Sequence, residues 1–431
     1  MSSTAALGNF PSHDSATART IGEFSLRDFA APVPGLRPSF PTERVWRDLI
    51  ATGTAAWLDT GDIDAIRALW TQEFSALTTN NTLLNKEVQK GIYDDLVPEA
   101  AAALTRADPS IDKDLLVLEI AFILNAVHGL KLVSNFDADV SVELHTKLAR
   151  DSEATYQYGM RFAAICPERF IVKVPLTPEG LIGARRLHDA GVRINFTLGF
   201  SARQNYLIAS LAQPDYVNVF MGRNGAFVKN NGYGDGENVG EKATLASQRT
   251  LRELCQDKGL NVKQIGASIR NGQQCFDLLG LDVFTIPTGA AEEYKALDPA
   301  TDTVVDRTAN DPTVTLAPGH DLAETKIDRM WEVSSSFKSA VDSLAYSEGL
   351  TGDAILTHLQ SHGVGDLFPV LDSEEQARVS AETKIPKATS WQDRVAAGTA
   401  SWDGLLTAAA LASFHTDQMA LDDRIRQSLG S

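Results

Sequence analysis

Residues 170–200 read FIVKVPLTPEGLIGARRLHDAGVRINFTLGF, and this stretch decides the fold. The apolar run at residues 170–175 predicts a strand that is buried on both faces. Residues 178–190 have a helical pattern, and residues 192–198 predict a second strand. A strand, a helix and another strand in succession are typical of α/β proteins with a parallel sheet.

The same alternation continues on both sides of this stretch. Helices are predicted after Asp62, a good N-cap residue, and at residues 201–212 and 240–258. Further strands are predicted at residues 55–58, 74–77, 139–144, 216–220, 262–268 and 281–287. Eight strands with intervening helices predict an α/β fold of the (β/α)8, or TIM barrel, type.

The alternative architecture is a doubly wound open sheet, in which a glycine-rich turn often binds a dinucleotide. The segment NGYGDGEN, which contains Gly232 to Gly236, lies well after its strand and lacks the G-x-G-x-x-G spacing. A dinucleotide site is therefore not indicated, and no cofactor is expected.

The chain outside the predicted barrel, which we place at residues 46–300, forms two regions. Residues 1–45 are rich in Ser, Thr, Ala and Pro and predict an N-terminal arm, either poorly ordered or lying as a strap on the surface. Residues 301–431 predict a mostly helical C-terminal region packed on the barrel, with partner binding as the alternative. Its helical segments are predicted at residues 321–346, 352–361, 373–381 and 401–428.

The composition argues against several classes of function. Lys plus Arg number 39 against 56 for Asp plus Glu, and the formal net charge of −17 disfavours nucleic acid or an anionic membrane as a partner. The most apolar helical segment, residues 115–127, contains Glu119 and is predicted to be too short to cross a bilayer. The N-terminus lacks the apolar region of a secretory signal. We therefore expect a cytoplasmic protein.

Metal and disulfide chemistry are not indicated either. The three cysteines form no C-x-x-C pair, which argues against a disulfide framework or a cysteine zinc site. The eight histidines form no H-x-H or H-E-x-x-H arrangement. No metal site is expected.

Functional side chains are expected at the ends of the strands, because barrel enzymes carry their chemistry at the C-terminal rim. The side chains found there combine a lysine, two carboxylates, an arginine, several neutral polar groups and one phenylalanine. They are Asp59, Thr78, Thr79, Asn80, Glu143, Lys173, Asn195, Thr197, Asn218, Phe220, Ser268 and Arg270.

Lys173 is the most informative of these residues, because its neighbours predict a strand buried on both faces. An ammonium group is poorly solvated there, so its charged form is disfavoured. A neutral amine is the nucleophile needed to form a Schiff base with a ketone or an aldehyde. A lysine whose stem packs while its tip reaches water is equally compatible with the strand context.

The two carboxylates and two arginines each have a structural and a functional interpretation. Asp59 is either a turn residue or an acid/base at the end of its strand, and Glu143 is either an inward-facing acid/base or a structural ion-pair partner. Arg223 and Arg270 follow two successive predicted strands, where guanidinium groups suit a phosphate, although solvated surface arginines are the simpler alternative.

Together these residues resemble the transaldolase family of class I aldolases, over residues 46–298. The resemblance is carried by seven segments in the family's order. They are WLDTGDIDAI, ALTTNNTLLNKE, VSVELHTKLARD, IVKVPLTPEGLIGARRLHDAGVRINFTLGFS, NVFMGRNGAF, IGASIRN and DVFTIP. The family resemblance implies a (β/α)8 barrel that carries a three-carbon ketose fragment on a lysine.

The resemblance also implies a role for each candidate residue. Lys173 is similar to the Schiff-base lysine, Asp59 to the acid/base at the C4 hydroxyl, and Glu143 with Thr197 to the pair that holds a proton-shuttling water. The remaining roles concern binding. Asn80, Asn195 and Asn218 correspond to positions that contact the dihydroxyacetone hydroxyls, and Arg223, Ser268 and Arg270 to the phosphate site.

The implied reaction is transfer of a dihydroxyacetone unit between sugar phosphates. The default pair is sedoheptulose 7-phosphate with glyceraldehyde 3-phosphate, giving erythrose 4-phosphate and fructose 6-phosphate. Phe220 favours transfer, because the aldolase relatives usually carry Tyr at this position. The alternatives are a class I aldolase, a transferase for a different or modified ketose, and a non-catalytic barrel used for assembly. A homo-oligomer is possible.

Three residues depart from the family pattern. Asn81 stands where the family usually has proline, and Asn218 where it usually has serine. Gly199 replaces a bulkier residue and is expected to open the pocket beside Thr197. These departures bear on the identity of the sugar more than on the lysine chemistry.

Overall fold

The structure, a computed structural model, describes residues 10–32, 39–344 and 346–430. Its centre is a closed barrel of eight parallel strands in sequence order, with β8 paired to β1. The strands are β1 (Ala55–Asp59), β2 (Phe74–Thr78), β3 (Asp139–Glu143), β4 (Phe170–Pro175), β5 (Ile194–Thr197), β6 (Tyr216–Phe220), β7 (Lys263–Ala267) and β8 (Val283–Ile286). The predicted (β/α)8 fold is confirmed, and closure rules out the open sheet.

Helices precede the barrel, connect its strands and form most of the C-terminal region. Those before and within the barrel are α1 (Ala16–Leu26), α2 (Arg44–Ala51), α3 (Ile63–Leu69), α4 (Asn81–Gln89), α5 (Leu96–Ala107), α6 (Lys113–Phe136), α7 (Ser152–Ile165), α8 (Pro178–Asp189), α9 (Ala202–Leu211), α10 (Met221–Asn230), α11 (Val239–Lys258), α12 (Gly272–Asp277) and α13 (Thr288–Leu297). Those that follow are α14 (Leu322–Thr325), α15 (Ser335–Asp342), α16 (Gly352–Ser361), α17 (Ser373–Glu382), α18 (Ala388–Ala396) and α19 (Trp402–Ser428).

The central βαβ unit forms for local reasons. Every residue of β4 and β5 is buried, as expected of strands covered on both faces. Between them, the Thr177 side chain accepts a hydrogen bond from the Gly180 N–H and so caps α8, while Pro178 occupies the first turn. The register pairs Lys173 with Asn195 and also with Glu143 on β3.

Helix α6 differs from its prediction. It spans 24 residues and, by length and composition alone, could cross a membrane, so the expectation of a short segment at residues 115–127 is wrong. In this structure 83% of its most apolar window is buried within the protein. Glu119 accepts hydrogen bonds from Tyr158 and Arg161 on α7, which explains how a carboxylate fits inside this helix.

The predicted N-terminal arm contains ordered structure where it is described. Helix α1 is capped by Ser15, buries Ile21, and contacts α5, α6 and α7. The apolar face of this helix packs against the barrel helices. Helix α2 begins at Arg44, two residues before the predicted start of the barrel at residue 46, and residues 1–9 and 33–38 of the arm lie outside the described residues.

The C-terminal region is mostly helical, as predicted, and its last helix crosses the barrel. Helices α16 and α19 agree with the segments predicted at 352–361 and 401–428. The segment 321–346, of which residue 345 is not described, divides into α14, a 3-10 helix at Ile327–Met330 and α15. Helix α18 was not predicted.

A buried ion-pair network fixes the start of α19 to α9. Arg203 donates from Nε and Nη2 to the two oxygens of Asp403, at 2.8 and 2.7 Å, and makes longer bonds of 3.2 and 3.3 Å to Asp366. The hydroxyls of Ser201 and Ser401 donate to Asp403 at 2.7 and 2.6 Å. Because Ser201 follows β5 closely, this network places α19 at the carboxyl ends of the strands.

Candidate active site

The structure places the amine of Lys173 inside the barrel, next to a carboxylate. Lys173 is 4% exposed, and its Nζ lies 3.5 Å from Glu143 Oε2 and 3.2 Å from the backbone oxygen of Thr79. Both side chains project from neighbouring strands that are in direct register. The arrangement provides a buried amine with a proton acceptor at close range, at the end of the barrel where such enzymes carry their chemistry.

Asp59 faces the same interior from the other side of β2. Thr78 Oγ1 donates to Asp59 Oδ1 at 2.7 Å and lies 2.6 Å from Thr285 Oγ1 on β8. These hydroxyls fix the orientation of the carboxylate, which also interacts electrostatically with Lys173. Asp59, Glu143 and Lys173 are thus brought together, as the positions of their strands predict.

Burial sets the protonation of both carboxylates. Desolvation raises the pKa of Asp59 above its ordinary value, although the nearby Lys173 charge and the Thr78 hydrogen bond oppose the shift. Desolvation likewise raises the pKa of Glu143, against the charge and hydrogen bond of Lys173 and the backbone N–H of Asn81. A raised pKa lets a carboxyl group hold a proton at a higher pH than an ordinary carboxyl group does, which suits a general acid/base.

The contact from Asn81 explains one departure from the family pattern. Its backbone N–H lies close enough to the Glu143 carboxylate to lower the pKa of that group, and proline has no N–H to do so. Its side-chain Nδ2 donates to Gln418 Oε1 on α19 at 2.6 Å. Asparagine at this position therefore connects the carboxylate to the C-terminal helix.

Neutral polar groups line the space beside Lys173. Asn195 and Asn218 are 1% and 2% exposed and Thr197 is fully buried. The side-chain oxygens Asn195 Oδ1, Thr197 Oγ1 and Asn218 Oδ1 have no hydrogen-bond partner within the described residues. Buried polar atoms are normally paired, so a cluster of unpaired ones at a strand end indicates a place for a ligand or for water.

Asn80 has a structural role besides its predicted one. Its Oδ1 accepts a hydrogen bond from the Leu83 N–H at 2.8 Å and caps α4. The amide NH2 of the same side chain is left to donate, which is compatible with contact to a hydroxyl group.

The two predicted phosphate arginines are neighbours at the rim. The Arg223 side chain follows β6 and is largely buried, its Nη1 without a hydrogen-bond partner among the described residues. Burial and the adjacent charge of Arg270 lower the pKa of Arg223 to about 10. Burial also lowers the pKa of Arg270. Arg223 is buried whereas Arg270 is exposed at the rim, and two neighbouring guanidinium groups favour binding of an anion.

Gly222 makes the approach of Arg270 possible. A Cβ at Gly222 would lie 2.2 Å from Arg270 Nε and 2.3 Å from the Ser268 backbone oxygen. Ser268 itself has a φ of +60°, a conformation that is uncommon for residues with a side chain. Such strain is held in place by surrounding structure and clusters at functional sites.

Helix α19 crosses the ends of several strands, and this contribution to the site was not predicted from the sequence. Its Thr407 donates to the Leu198 backbone oxygen after β5 at 2.9 Å. Phe414 packs near Phe220 at the end of β6, with ring centroids 6.5 Å apart. The sequence offers no motif for these contacts.

The same helix reaches the loop after β3. The His145 ring lies 3.2 Å from Asp422, and Thr146 Oγ1 lies 3.0 Å from the His415 ring. Helix α19 therefore covers the rim from β5 and β6 across to β2 and β3.

The expectation for Gly199 is wrong. A Cβ at this position would lie 2.3 Å from the backbone oxygen of Asn218 and 2.9 Å from Asn205 Oδ1. The space beside Gly199 is therefore filled by backbone and does not enlarge the pocket. Glycine is required there because β5 and β6 approach each other closely.

The sequence of this chain also matches a known protein family. The family model for transaldolase/fructose-6-phosphate aldolase matches residues 56–348, more than half of the chain. The chain belongs to this family. All eight strands of the transaldolase/fructose-6-phosphate aldolase barrel lie in the matched segment except the first residue of β1, whereas α16 to α19 lie beyond it.

Several curated relatives carry the name transaldolase. The protein from Xanthomonas oryzae pv. oryzae (strain PXO99A) is 31% identical over 244 residues, which cover 55% of this chain and 74% of the relative. That of Protochlamydia amoebophila (strain UWE25) is 30% identical over 251 residues, covering 56% and 74%. That of Gloeobacter violaceus (strain ATCC 29082 / PCC 7421) is 31% identical over 262 residues, covering 58% and 65%. This level of identity supports transaldolase- or aldolase-type function.

Within residues 10–32, 39–344 and 346–430, no group of three or more His, Cys, Asp or Glu side chains could hold a metal ion.

Proposed function

We propose that this protein is a transaldolase-type transferase that moves a dihydroxyacetone unit between sugar phosphates through a Schiff base on Lys173. The observation that carries the proposal is the buried Nζ of Lys173 at 3.5 Å from Glu143. Family membership supports the class of reaction, and the roles of individual residues are part of the proposal.

Schiff-base formation begins when the uncharged Lys173 amine attacks C2 of a ketose phosphate. Glu143 is the nearest carboxylate and accepts a proton from the ammonium group or from the addition product. Its raised pKa lets it return that proton as the carbinolamine loses water. Thr197 holds the water through which this proton moves.

Carbon–carbon cleavage follows from the iminium ion. Asp59 takes the proton of the C4 hydroxyl, the C3–C4 bond breaks, and its electron pair flows into the iminium to give a neutral enamine. The aldose product leaves, and an acceptor aldehyde takes its place. The enamine attacks the aldehyde carbon, and Asp59 returns the proton to the new hydroxyl group.

Substrate binding uses both ends of the pocket. Asn80, Asn195 and Asn218 bind the hydroxyl groups of the dihydroxyacetone unit, and Arg223, Ser268 and Arg270 bind the phosphate. Phosphate binding away from the reacting carbons contributes orientation as well as affinity. The default substrates are sedoheptulose 7-phosphate and glyceraldehyde 3-phosphate, with erythrose 4-phosphate and fructose 6-phosphate as products.

The second candidate is aldol cleavage by the same lysine, since the family's description includes an aldolase. The environment of Phe220 favours transfer. Its ring packs against Phe200 at 5.6 Å and near Phe414 at 6.5 Å, and none of the three rings has a hydroxyl to protonate the enamine. Assays with and without an acceptor aldehyde separate the two activities. A panel of phosphorylated ketoses extends the test to a different or modified sugar.

Borohydride trapping tests the lysine directly. Reduction in the presence of fructose 6-phosphate should leave a stable adduct on the peptide that contains Lys173. Lys173→Met should abolish the adduct, whereas Lys86→Met, which removes an exposed amine near the same rim, should retain it. An adduct on another peptide, or none in the unchanged protein, rejects the mechanism.

A further inference from the structure

We propose that Phe414, on the C-terminal helix α19, is a positioning residue that holds the Arg223 guanidinium ready to bind the substrate's phosphate. This inference rests on the phosphate site of the proposed function and adds a residue from outside the barrel to it. Phe414 lies beyond residues 56–348, the segment that matches the family.

The contact is formed by two aromatic rings around one guanidinium group. The Arg223 Cζ lies 5.6 Å from the Phe220 ring centroid and 5.7 Å from the Phe414 ring centroid. Phe414 is 4% exposed and Arg223 is 8% exposed, so little water reaches the contact. Cations within about 6 Å of a ring centroid are attracted by its π electrons, more strongly when desolvated.

Aromatic rings suit this task better than a carboxylate would. A carboxylate beside Arg223 would occupy the N–H groups that bind phosphate and would repel the phosphate itself. A ring face attracts the charge but uses none of the five N–H donors of arginine. Nη1 of Arg223 remains without a partner among the described residues, as expected of a group prepared for an anion.

The neighbouring groups identify the anion. Arg270 adds a second positive charge close enough to lower the pKa of Arg223, and its Nε packs against the backbone at Gly222. Two guanidinium groups at one rim match the charge of a phosphate monoester better than that of a carboxylate.

Helix α19 is anchored on both sides of Phe414, so the ring cannot move freely. Before it, Thr407 accepts a hydrogen bond from Gln204 at 2.9 Å and donates to the Leu198 backbone oxygen. After it, Gln418 binds Asn81 at 2.6 Å. The hydrogen bonds between α19 and the barrel therefore fix the position of the Phe414 ring.

Binding of inorganic phosphate to the full chain, measured by calorimetry, tests the inference. Phe414→Leu removes the ring face and should raise the dissociation constant about ten-fold, equivalent to about 1.4 kcal/mol. Phe414→Met provides a second ring-free variant should the first fold poorly, with the same expected loss. Phe414→Tyr keeps the ring and should bind phosphate within about two-fold of the unchanged protein.

Phe276 offers a matched control. Its ring also contacts an arginine, with Arg307 Cζ at 4.3 Å from the centroid, and Arg307 bonds to Leu279 before β8, at the opposite end of the barrel. Phe276→Leu should leave phosphate binding unchanged. Equal phosphate affinity in the unchanged protein and in the folded Phe414→Leu or Phe414→Met variant overturns the inference, as does absence of phosphate binding in the unchanged protein.

Kinetics give a second readout that distinguishes this inference from the proposed function. In Phe414→Leu, KM for fructose 6-phosphate should rise about ten-fold while kcat changes less than about two-fold and KM for unphosphorylated fructose stays the same. A fall in kcat with unchanged KM overturns the positioning role. Phosphate binding does not require the Lys173 adduct, so loss of phosphate affinity without any trapped adduct would reject the mechanism and retain the inference.

Discussion

Replacing Asp403 by asparagine should weaken the attachment of α19 to the barrel and lower the free energy of unfolding. Asp403 is 1% exposed, binds Arg203 through two short hydrogen bonds and accepts two more from serine hydroxyls. Removing one partner of a buried ion pair costs about 3–5 kcal/mol, because the other charge is left uncompensated. Asp366 still faces Arg203 at 3.2 Å, so the loss should lie near about 3 kcal/mol.

The pH dependence of this loss follows from the pKa of Asp403. Burial alone would raise that pKa, but Arg203 and the serine hydroxyls outweigh it and hold the pKa below its ordinary value. The native state therefore binds this proton less tightly than the unfolded chain does. The stabilisation is present above the ordinary carboxyl pKa and is lost as pH falls through the lowered one. The difference between Asp403→Asn and the unchanged protein should be full at pH 7 and shrink in acid.

Urea denaturation followed by tryptophan fluorescence measures this effect, since Trp402 adjoins the mutated residue. Asp393→Asn, the same change at an exposed position of α18, is the control and should alter stability by less than about 0.5 kcal/mol. A loss below about 1 kcal/mol at pH 7 for Asp403→Asn, or a loss that does not diminish in acid, would refute the reasoning.

Four further results are expected. Gly222→Ala should displace Arg270, because the new Cβ would lie 2.2 Å from its Nε, and should weaken inhibition by inorganic phosphate at least several-fold; unchanged inhibition contradicts this. Phe220→Tyr should increase ketose cleavage in the absence of an acceptor, measured as free aldose, and no increase would count against the role of Phe220. In the pH profile of kcat, the midpoint of the acid limb should lie above the ordinary carboxyl pKa of about 4, because burial raises the pKa of Asp59. A midpoint at or below that value excludes Asp59 as the group that titrates. A carboxyl group whose pKa is raised in the native state lowers the stability of the protein as pH rises and the group ionises. Asp59→Asn removes this cost, so it should abolish activity without lowering the melting temperature at pH 7.

The barrel could be predicted from the sequence because its signals are local. Strands such as residues 170–175 and 216–220 are apolar runs whose lengths and bounding residues identify them without knowledge of the rest of the chain. Once the strands are parallel and ordered, their carboxyl ends meet at one rim. The proximity of Lys173 and Glu143 then follows from the register of β3 and β4.

The position of α19 could not be predicted in the same way. Its residues from Trp402 to Thr407 are all buried, so no single apolar stripe shows which face meets the barrel. The contacts of Phe414 and Gln418 join residues far apart in the chain, and single-sequence patterns contain no information on such pairs. The predicted segment 115–127 is only the most apolar part of α6, which continues through the buried His128 to Phe136.

Because α19 is the last helix to be synthesised, its position over the barrel affects how the chain folds during translation. All eight strands leave the ribosome before Trp402 does, so the nascent barrel closes while its mouth is still uncovered. During that interval Phe220 lacks its neighbour Phe414, and a chaperone that recognises exposed aromatic surface would bind there. Translation that stops before residue 402 should therefore yield a barrel whose rim is not covered by α19 and which aggregates through the exposed apolar surface.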